Sequence, residues 1–276
     1  MASIVYTENL SITCPLCGKQ IGTPLFKKSG PFQIYICPIC KLGQTFPYPQ
    51  ESNGQEHYTD SDDYFERHYT VSRPLWRKYM AIILDTAKPY KSSGTLLDIG
   101  ANIGFMLELA QERGFKATGV EPSPAANRYA RGKLHLNMIE GYFPPPELHD
   151  QRFDLITLNH VLEHVPDPLN FLCEIKQHLN PDGVAIIMSP GYTSLMAFIL
   201  GRKWGGYQPT QHIWQFTPET AAQLAGRAGL QVLQHRKSSL GHHVGSNTLI
   251  NQTKEVAKIG AFLGTGEQIV VIVKNQ

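Results

Sequence analysis

From residue 94 onward, two hydrophobic rhythms alternate along the chain. Short runs that are apolar almost throughout, TLLDIG (95–100), KATGVE (116–121), LHLNMIE (134–140), FDLITLN (153–159), VAIIMS (184–189), LQVLQHR (230–236) and QIVVIVKN (268–275), read as strands. Between them apolar residues recur every three or four positions. Ile103, Met106, Leu107 and Ala110 trace one helix ending at Gly114, and Ser123–Arg131 a second. A third runs from Pro168 to Leu179 and is halted by Asn180-Pro181-Asp182-Gly183. A fourth is capped by Thr217 with Pro218 at its first position and runs to Gly229. Strands apolar along their whole length are covered on both faces, so the pattern predicts an α/β fold around a mostly parallel sheet. Upstream, a helix is expected from Ser72, with Pro74 in its first turn. Residues 46–69 read as a polar connector with a short helix over Asp62–Tyr69. Residues 237–266 exceed what a hairpin needs, and TLINQTKEVAKIGAFL there predicts an extra helix.

With 276 residues, 42% of them apolar, the chain can bury a sizeable core. A net charge of +2 gives no bulk reason to hold a polyanion. No apolar run approaches the ~20 residues that cross a bilayer, and MASIVYTENL lacks the pattern of a secretory signal. The expectation is a soluble, cytoplasmic protein that binds neither membrane nor nucleic acid.

Four of the five cysteines make two Cys-Pro-x-Cys turns: Cys14 and Cys17 in CPLC, Cys37 and Cys40 in CPIC. Without an export signal, two disulfides are the weaker reading. Two C-x2-C pairs can converge on one tetrahedral ion, and a four-thiolate site is coordinatively closed, so structural zinc is expected here. Cys173, among Leu169, Leu172 and Ile175, reads as a packing residue.

The first strand runs into Asp98-Ile99-Gly100-Ala101-Asn102-Ile103-Gly104. Gly100 and Gly104 let backbone approach a ligand closely. Asn102 and Phe105 stand where a dinucleotide fingerprint has glycines, and an acid ends the strand, so an uncharged or cationic ligand suits this loop better than a diphosphate. Glu121 ends the second strand, placed to accept both hydroxyls of a ribose, and Pro122 offers an apolar edge to a base.

This combination, with HVLEHVPDP after the fourth strand and LNPDGVAIIMSP around the fifth, resembles the class I S-adenosylmethionine-dependent methyltransferases from about Gly94 to Val273. The resemblance implies a Rossmann-like seven-stranded sheet with a reversed last strand, behind a small zinc-ribbon-like module. The implied division is 1–45 for the zinc module, 46–72 for the connector and 73–276 for the enzyme domain. It assigns Asp98 and Gly100 to the cofactor's methionine end and Glu121 to the ribose. Tyr142 and Phe143 would flank the adenine, and Asn159 would meet the amino-acid part through its backbone. Asn102 departs from the glycine many members carry; asparagine tolerates positive φ, so the turn is expected to survive.

Methyl transfer to oxygen or carbon also needs a proton acceptor, which suits histidine at neutral pH. Of eleven histidines, His160 and His164 follow the fourth strand, and His212 lies in GGYQPTQHIWQFTPET. That block resembles one in small-molecule and sugar methyltransferases with an N-terminal zinc knuckle, in which a histidine at this position can serve as base. For His212 the rival reading is a hydrogen bond that organises the loop. Glu163 with His164 either holds a divalent ion, as in some quinone-precursor relatives, or only starts a helix. Trp204, Tyr207, Trp214 and Phe216, with Tyr58, Tyr64 and Tyr69, could stack on a substrate ring or pack a lid on its own domain. The leading expectation is methyl transfer to oxygen, or carbon, of a small molecule such as a sugar, glycan precursor or natural-product scaffold. A ribosomal-RNA base methyltransferase and a non-catalytic scaffold are the alternatives. The first would need a basic groove, for which the knuckle region offers only Lys19, Lys27, Lys28 and Lys41.

Overall fold

A computed structural model describes residues 12–21, 24–26, 31–49, 62–238 and 266–276. The expected helix within 237–266, the histidines His242 and His243, and residues 50–61 of the connector, Tyr58 among them, lie outside these residues. The central sheet has seven strands: β5 (Gly94–Ile99), β6 (Phe115–Glu121), β7 (Met138–Glu140), β8 (Phe153–Asn159), β9 (Leu179–Pro190), β11 (Gln231–Ser238) and β12 (Gln268–Lys274). Their order is β11-β12-β9-β8-β5-β6-β7, and β12 runs antiparallel to both of its neighbours. The Rossmann-like sheet with a reversed last strand is therefore present. The chain leaves β5 for β6 and β7 on one side, then crosses to β8 and β9 on the other, so β5 and β8 flank the switch point where such sheets take ligands.

Alternate residues of each strand feed two cores. Leu96, Leu155, Ile186 and Ile272 face α1 (Asp62–Ala87), α2 (Phe105–Glu112) and α3 (Pro124–Leu134). Leu97, Ile156, Ile187 and Val271 face α4 (Pro168–Gln177) and α6 (Pro218–Arg227). This is why the runs read as unbroken. At the N-terminus, β1 (Ile12–Thr13) pairs with β2 (Gln20–Ile21), and β3 (Gln33–Ile36) with β4 (Gly43–Phe46). Cys14, Leu16, Ile21, Cys37 and Leu42 belong to the same core as α6. Among the described residues no helix is long and apolar enough to cross a membrane.

Several element bounds differ from the sequence expectation. α1 is one helix of 26 residues with Pro74 inside it, where a short helix and a second one starting at Ser72 were expected. Packing of Phe65, Tyr69, Trp76 and Tyr79 against the α2 and α3 side outweighs the backbone bond the proline removes. β7 starts at Met138, because His135 (φ +53) closes α3 in the left-handed region. β9 starts at Leu179, which already pairs with Phe153; regular pairing resumes at Leu155 and Val184 beyond the Asn180–Gly183 irregularity. Two elements had no clear signal: α5 (Leu195–Leu200) and the two-residue β10 (Trp214–Gln215), which joins the edge of β4.

Candidate active site and cysteine cluster

β8, β5 and β6 are neighbours, and their carboxyl ends bring Asn159, Asp98 and Glu121 to one rim. Gly100 (φ +73), Asn102 (φ +50) and Gly104 (φ +90) all lie in the left-handed region, so the turn survives with asparagine at its centre. A Cβ on Gly100 would stand 2.6 Å from Val161 Cγ2. Glu121 braces the turn. The backbone N–H of Asn102 donates to one carboxylate oxygen (2.8 Å) and that of Ser123 to the other (2.9 Å). Each oxygen keeps a lone pair for a further donor. Asp98 is buried and accepts from the Thr157 hydroxyl (2.7 Å). Burial pushes its carboxyl up to about 7; the Thr157 bond works against this, and the nearby Glu121 carboxylate adds to it.

The expected adenine pair is split. Tyr142 is exposed, whereas the Phe143 ring packs edge-on against Phe171 (5.4 Å) and His178 (5.1 Å), so it forms part of a wall. Pro122 follows Glu121 and is half-buried. Asn159 meets Tyr79 and, through it, Gln268, two residues that sequence reasoning missed. The Tyr79 hydroxyl lies 2.7 Å from Asn159 Oδ1 and 2.6 Å from Gln268 Oε1. Gln268 in turn reaches His160 Nε2 (3.1 Å), and His160 Nδ1 stands 3.2 Å from Glu163 Oε1. Gln268, the one amide in a strand of aliphatics, was the available signal; Tyr79 had none beyond its helical spacing.

Beyond β8 the chain turns back under the 204–216 segment and gathers Glu163, His164 and His212. His212 is buried, and its Nδ1 lies 2.9 Å from the Gly206 carbonyl. A carbonyl only accepts, which puts the ring hydrogen on Nδ1 and leaves Nε2 as the bare acceptor. His164 Nδ1 contacts the Gln211 carbonyl (3.2 Å) in the same way, and the two rings meet edge-on at 4.7 Å. Burial pushes His212 down to about 4, so it is neutral at physiological pH. Burial alone would raise the Glu163 carboxyl, but the neighbouring histidines, His160 foremost, hold it below the usual carboxylate range. One ligand atom from each of Glu163, His164 and His212 lies within 4.8 Å of the others, a grouping that could take a divalent ion.

The aromatic block does not present free rings. Trp204, Tyr207, Trp214 and Phe216 are buried, with Trp204 edge-on to Tyr207 (4.9 Å) and the Trp214 indole donating to the Val165 carbonyl (2.8 Å). Tyr69 stacks on Phe105. The lid packs on its own domain. In the N-terminal module, Cys14, Cys17, Cys37 and Cys40 bring their sulfurs within 4.8 Å of one another. Two cross-pairs, Cys14–Cys40 and Cys17–Cys37, stand at 3.4 Å: non-bonded, and near the sulfur–sulfur edge of a tetrahedral thiolate site. Cys173 packs against the core.

Sheet order, the glycine turn and the acid at the end of β6 together define the class of S-adenosylmethionine-dependent methyltransferases. A family model described as a methyltransferase domain matches residues 66–235, more than half of the sequence, and the chain belongs to that family. It is 31% identical over 121 residues to the ubiquinone biosynthesis O-methyltransferase of Actinobacillus pleuropneumoniae, a match covering 40% of this chain and 52% of that protein. The corresponding protein of a Methylobacterium strain is 28% identical over 149 residues, covering 50% and 60%. The chain thus spans about half the length of the curated relatives it matches. Among solved structures, an S-adenosylmethionine-dependent methyltransferase from Archaeoglobus fulgidus superposes with a TM-score of 0.51 at 25% identity, over 78% of this chain and all of that one. Another from Clostridium acetobutylicum superposes at 0.53 with 13% identity, over 78% and 98%, and shares the fold.

Proposed function

We propose that this enzyme transfers the methyl group of S-adenosylmethionine to a hydroxyl oxygen of a small molecule, with His212 as the proton acceptor. The observation that carries this reading is the buried, neutral His212 ring, fixed through Nδ1 by the Gly206 carbonyl with Nε2 left bare. S-adenosylmethionine, when bound, supplies the electrophilic methyl carbon. Glu121 takes the ribose hydroxyls with the lone pairs that its two amide bonds leave over. Asp98 and Gly100 face the methionine end, the Asn159 backbone its amino-acid part, and Pro122, Tyr142 and Phe143 border the adenine. The acceptor hydroxyl would give its proton to His212 Nε2 as the methyl carbon exchanges its bond to the sulfonium sulfur for one to the acceptor oxygen, leaving S-adenosylhomocysteine, and positioning the two would supply much of the acceleration. The named relatives methylate oxygen in ubiquinone biosynthesis, which favours a hydroxyl over a carbon acceptor. The likeness to zinc-knuckle enzymes extends the candidate acceptors to sugars and natural-product scaffolds. The four cysteines hold a structural zinc ion.

Production of S-adenosylhomocysteine across a panel of catechols, sugars and nucleotide sugars tests the reaction. His212→Ala is expected to cut turnover about 100-fold or more while leaving the affinity for S-adenosylhomocysteine intact. Unchanged turnover would remove His212 from the chemistry. A second reading rests on Glu163, fully buried, with His160 Nδ1 3.2 Å from one carboxylate oxygen and the other oxygen without a hydrogen-bond partner. In it, Glu163, His164 and His212 hold a divalent ion that orients the acceptor. Turnover that depends on added divalent metal, with the cysteine zinc retained, would favour that reading.

A further inference from the structure

The cysteine module and the proposed base are connected by backbone. β4 follows Cys40 after only Lys41 and Leu42, and it lies between β3 and β10 in a three-stranded sheet. Thr45, fully buried in β4, donates its N–H to the Ile213 carbonyl (2.8 Å) and its hydroxyl to the His212 carbonyl (2.7 Å). From the other side, the N–H of Ile213 donates to the Glu163 carbonyl (2.8 Å) and the Trp214 indole to that of Val165 (2.8 Å). The peptide carrying His212 is therefore gripped along both edges, by β4 and by the turn after β8.

The module that supplies one of these edges is itself tied down at both knuckle turns. Arg227 donates to the carbonyls of Pro15 (2.9 Å) and Leu16 (2.8 Å). The Tyr192 hydroxyl donates to the carbonyl of Lys41 (2.6 Å). Little space is left for β4 to shift. At Gly43, paired with Gln215, a Cβ would come within 2.6 Å of the Gln215 Cβ. Four thiolates on one ion would fix the two knuckle turns relative to each other, and β4 leads directly from the second of them.

We propose that the cysteine module is a positioning device for His212, with Thr45 as the positioning residue through which metal occupancy sets the place of the imidazole. This rests on the reading of His212 as proton acceptor. A displacement on the order of 1 Å at a reacting group can cost about 100-fold in rate, so a strut of this kind acts on turnover and leaves cofactor binding alone.

The test uses the full chain with Thr45→Val, which keeps the shape and loses the hydroxyl, beside Thr45→Ser, which keeps the hydroxyl. Thr45→Val is expected to lower kcat by about 10- to 100-fold with KM and S-adenosylhomocysteine affinity nearly unchanged, and Thr45→Ser to recover most of the rate. The readout independent of turnover is the carbon-13 imidazole resonance of His212, assigned by its loss in His212→Gln. It should move in Thr45→Val, and in the wild-type chain when a chelator strips the metal. A resonance that neither treatment moves overturns the proposal, whatever the rates. A resonance that moves while His212→Ala keeps full turnover leaves the strut standing and overturns the base role instead. Should Thr45→Val fail to fold, Thr45→Ser and the chelated wild type still decide the question.

Discussion

With Asp98 at the methionine end of the cofactor, as proposed, one buried carboxyl would couple cofactor binding to pH. Its carboxyl sits at about 7 in the folded apo chain, against about 3.9 unfolded. A group raised in this way gives its stabilising contribution below the unfolded value and loses it as pH rises through the folded one, so the apo chain is weakened between about pH 4 and 7. A cationic sulfonium prefers the ionised form, so binding must release a proton at or below pH 7. The affinity for S-adenosylmethionine should accordingly be about tenfold weaker at pH 6 than at pH 8, and Asp98→Asn should flatten the dependence. Calorimetry across that range checks it; a flat wild-type profile would place Asp98 away from the cofactor. The placement of Asp98, Gly100 and Glu121 at the sheet's carboxyl rim was legible in the sequence because strand ends and a glycine turn mark them locally. Tyr79, Gln268 and Thr45 were not, because each bonds a partner far along the chain.

Among the elements, α1 carries the clearest conflict between local preference and packing. Pro74 is exposed within a helix of 26 residues and removes a backbone donor from its middle, while the aromatic residues around it hold the helix to α2 and α3. Pro74→Ala should restore the bond and stabilise the chain by about 1–3 kcal/mol, seen as a higher melting temperature; a lower one would mean that a bend there is needed. The inner strands were readable because they are buried on both faces and bounded by turn residues. β10 was not, since two residues carry no period, and Trp214 looked like a ligand platform although its indole is spent on Val165. Ser72 misled for a related reason. Serine followed by proline is a good start signal, and nothing local reveals that Phe65 already anchors an earlier turn in the core.

For the whole molecule, the sharing of one core by the cysteine module and the sheet decides how it should unfold. Cys14, Leu16, Ile21, Cys37 and Leu42 pack with Trp214, Phe216 and the α6 alanines. Removing the zinc proposed for the four cysteines should therefore lower the stability of the entire chain in one cooperative transition. Scanning calorimetry before and after chelation, and on the double variant Cys14→Ser with Cys17→Ser, checks this; a separate small transition beside an unmoved main one would show an independent module. The same architecture bears on how the protein is made. Thr45 finds its partner 167 residues later, and the first knuckle turn meets Arg227 after 212. At about 5–20 residues per second, the growing chain carries an open edge strand for roughly ten to thirty seconds. A ribosome that stalls or stops short in that interval releases a polypeptide with its sulfur ligands already in place and that edge still exposed to other chains.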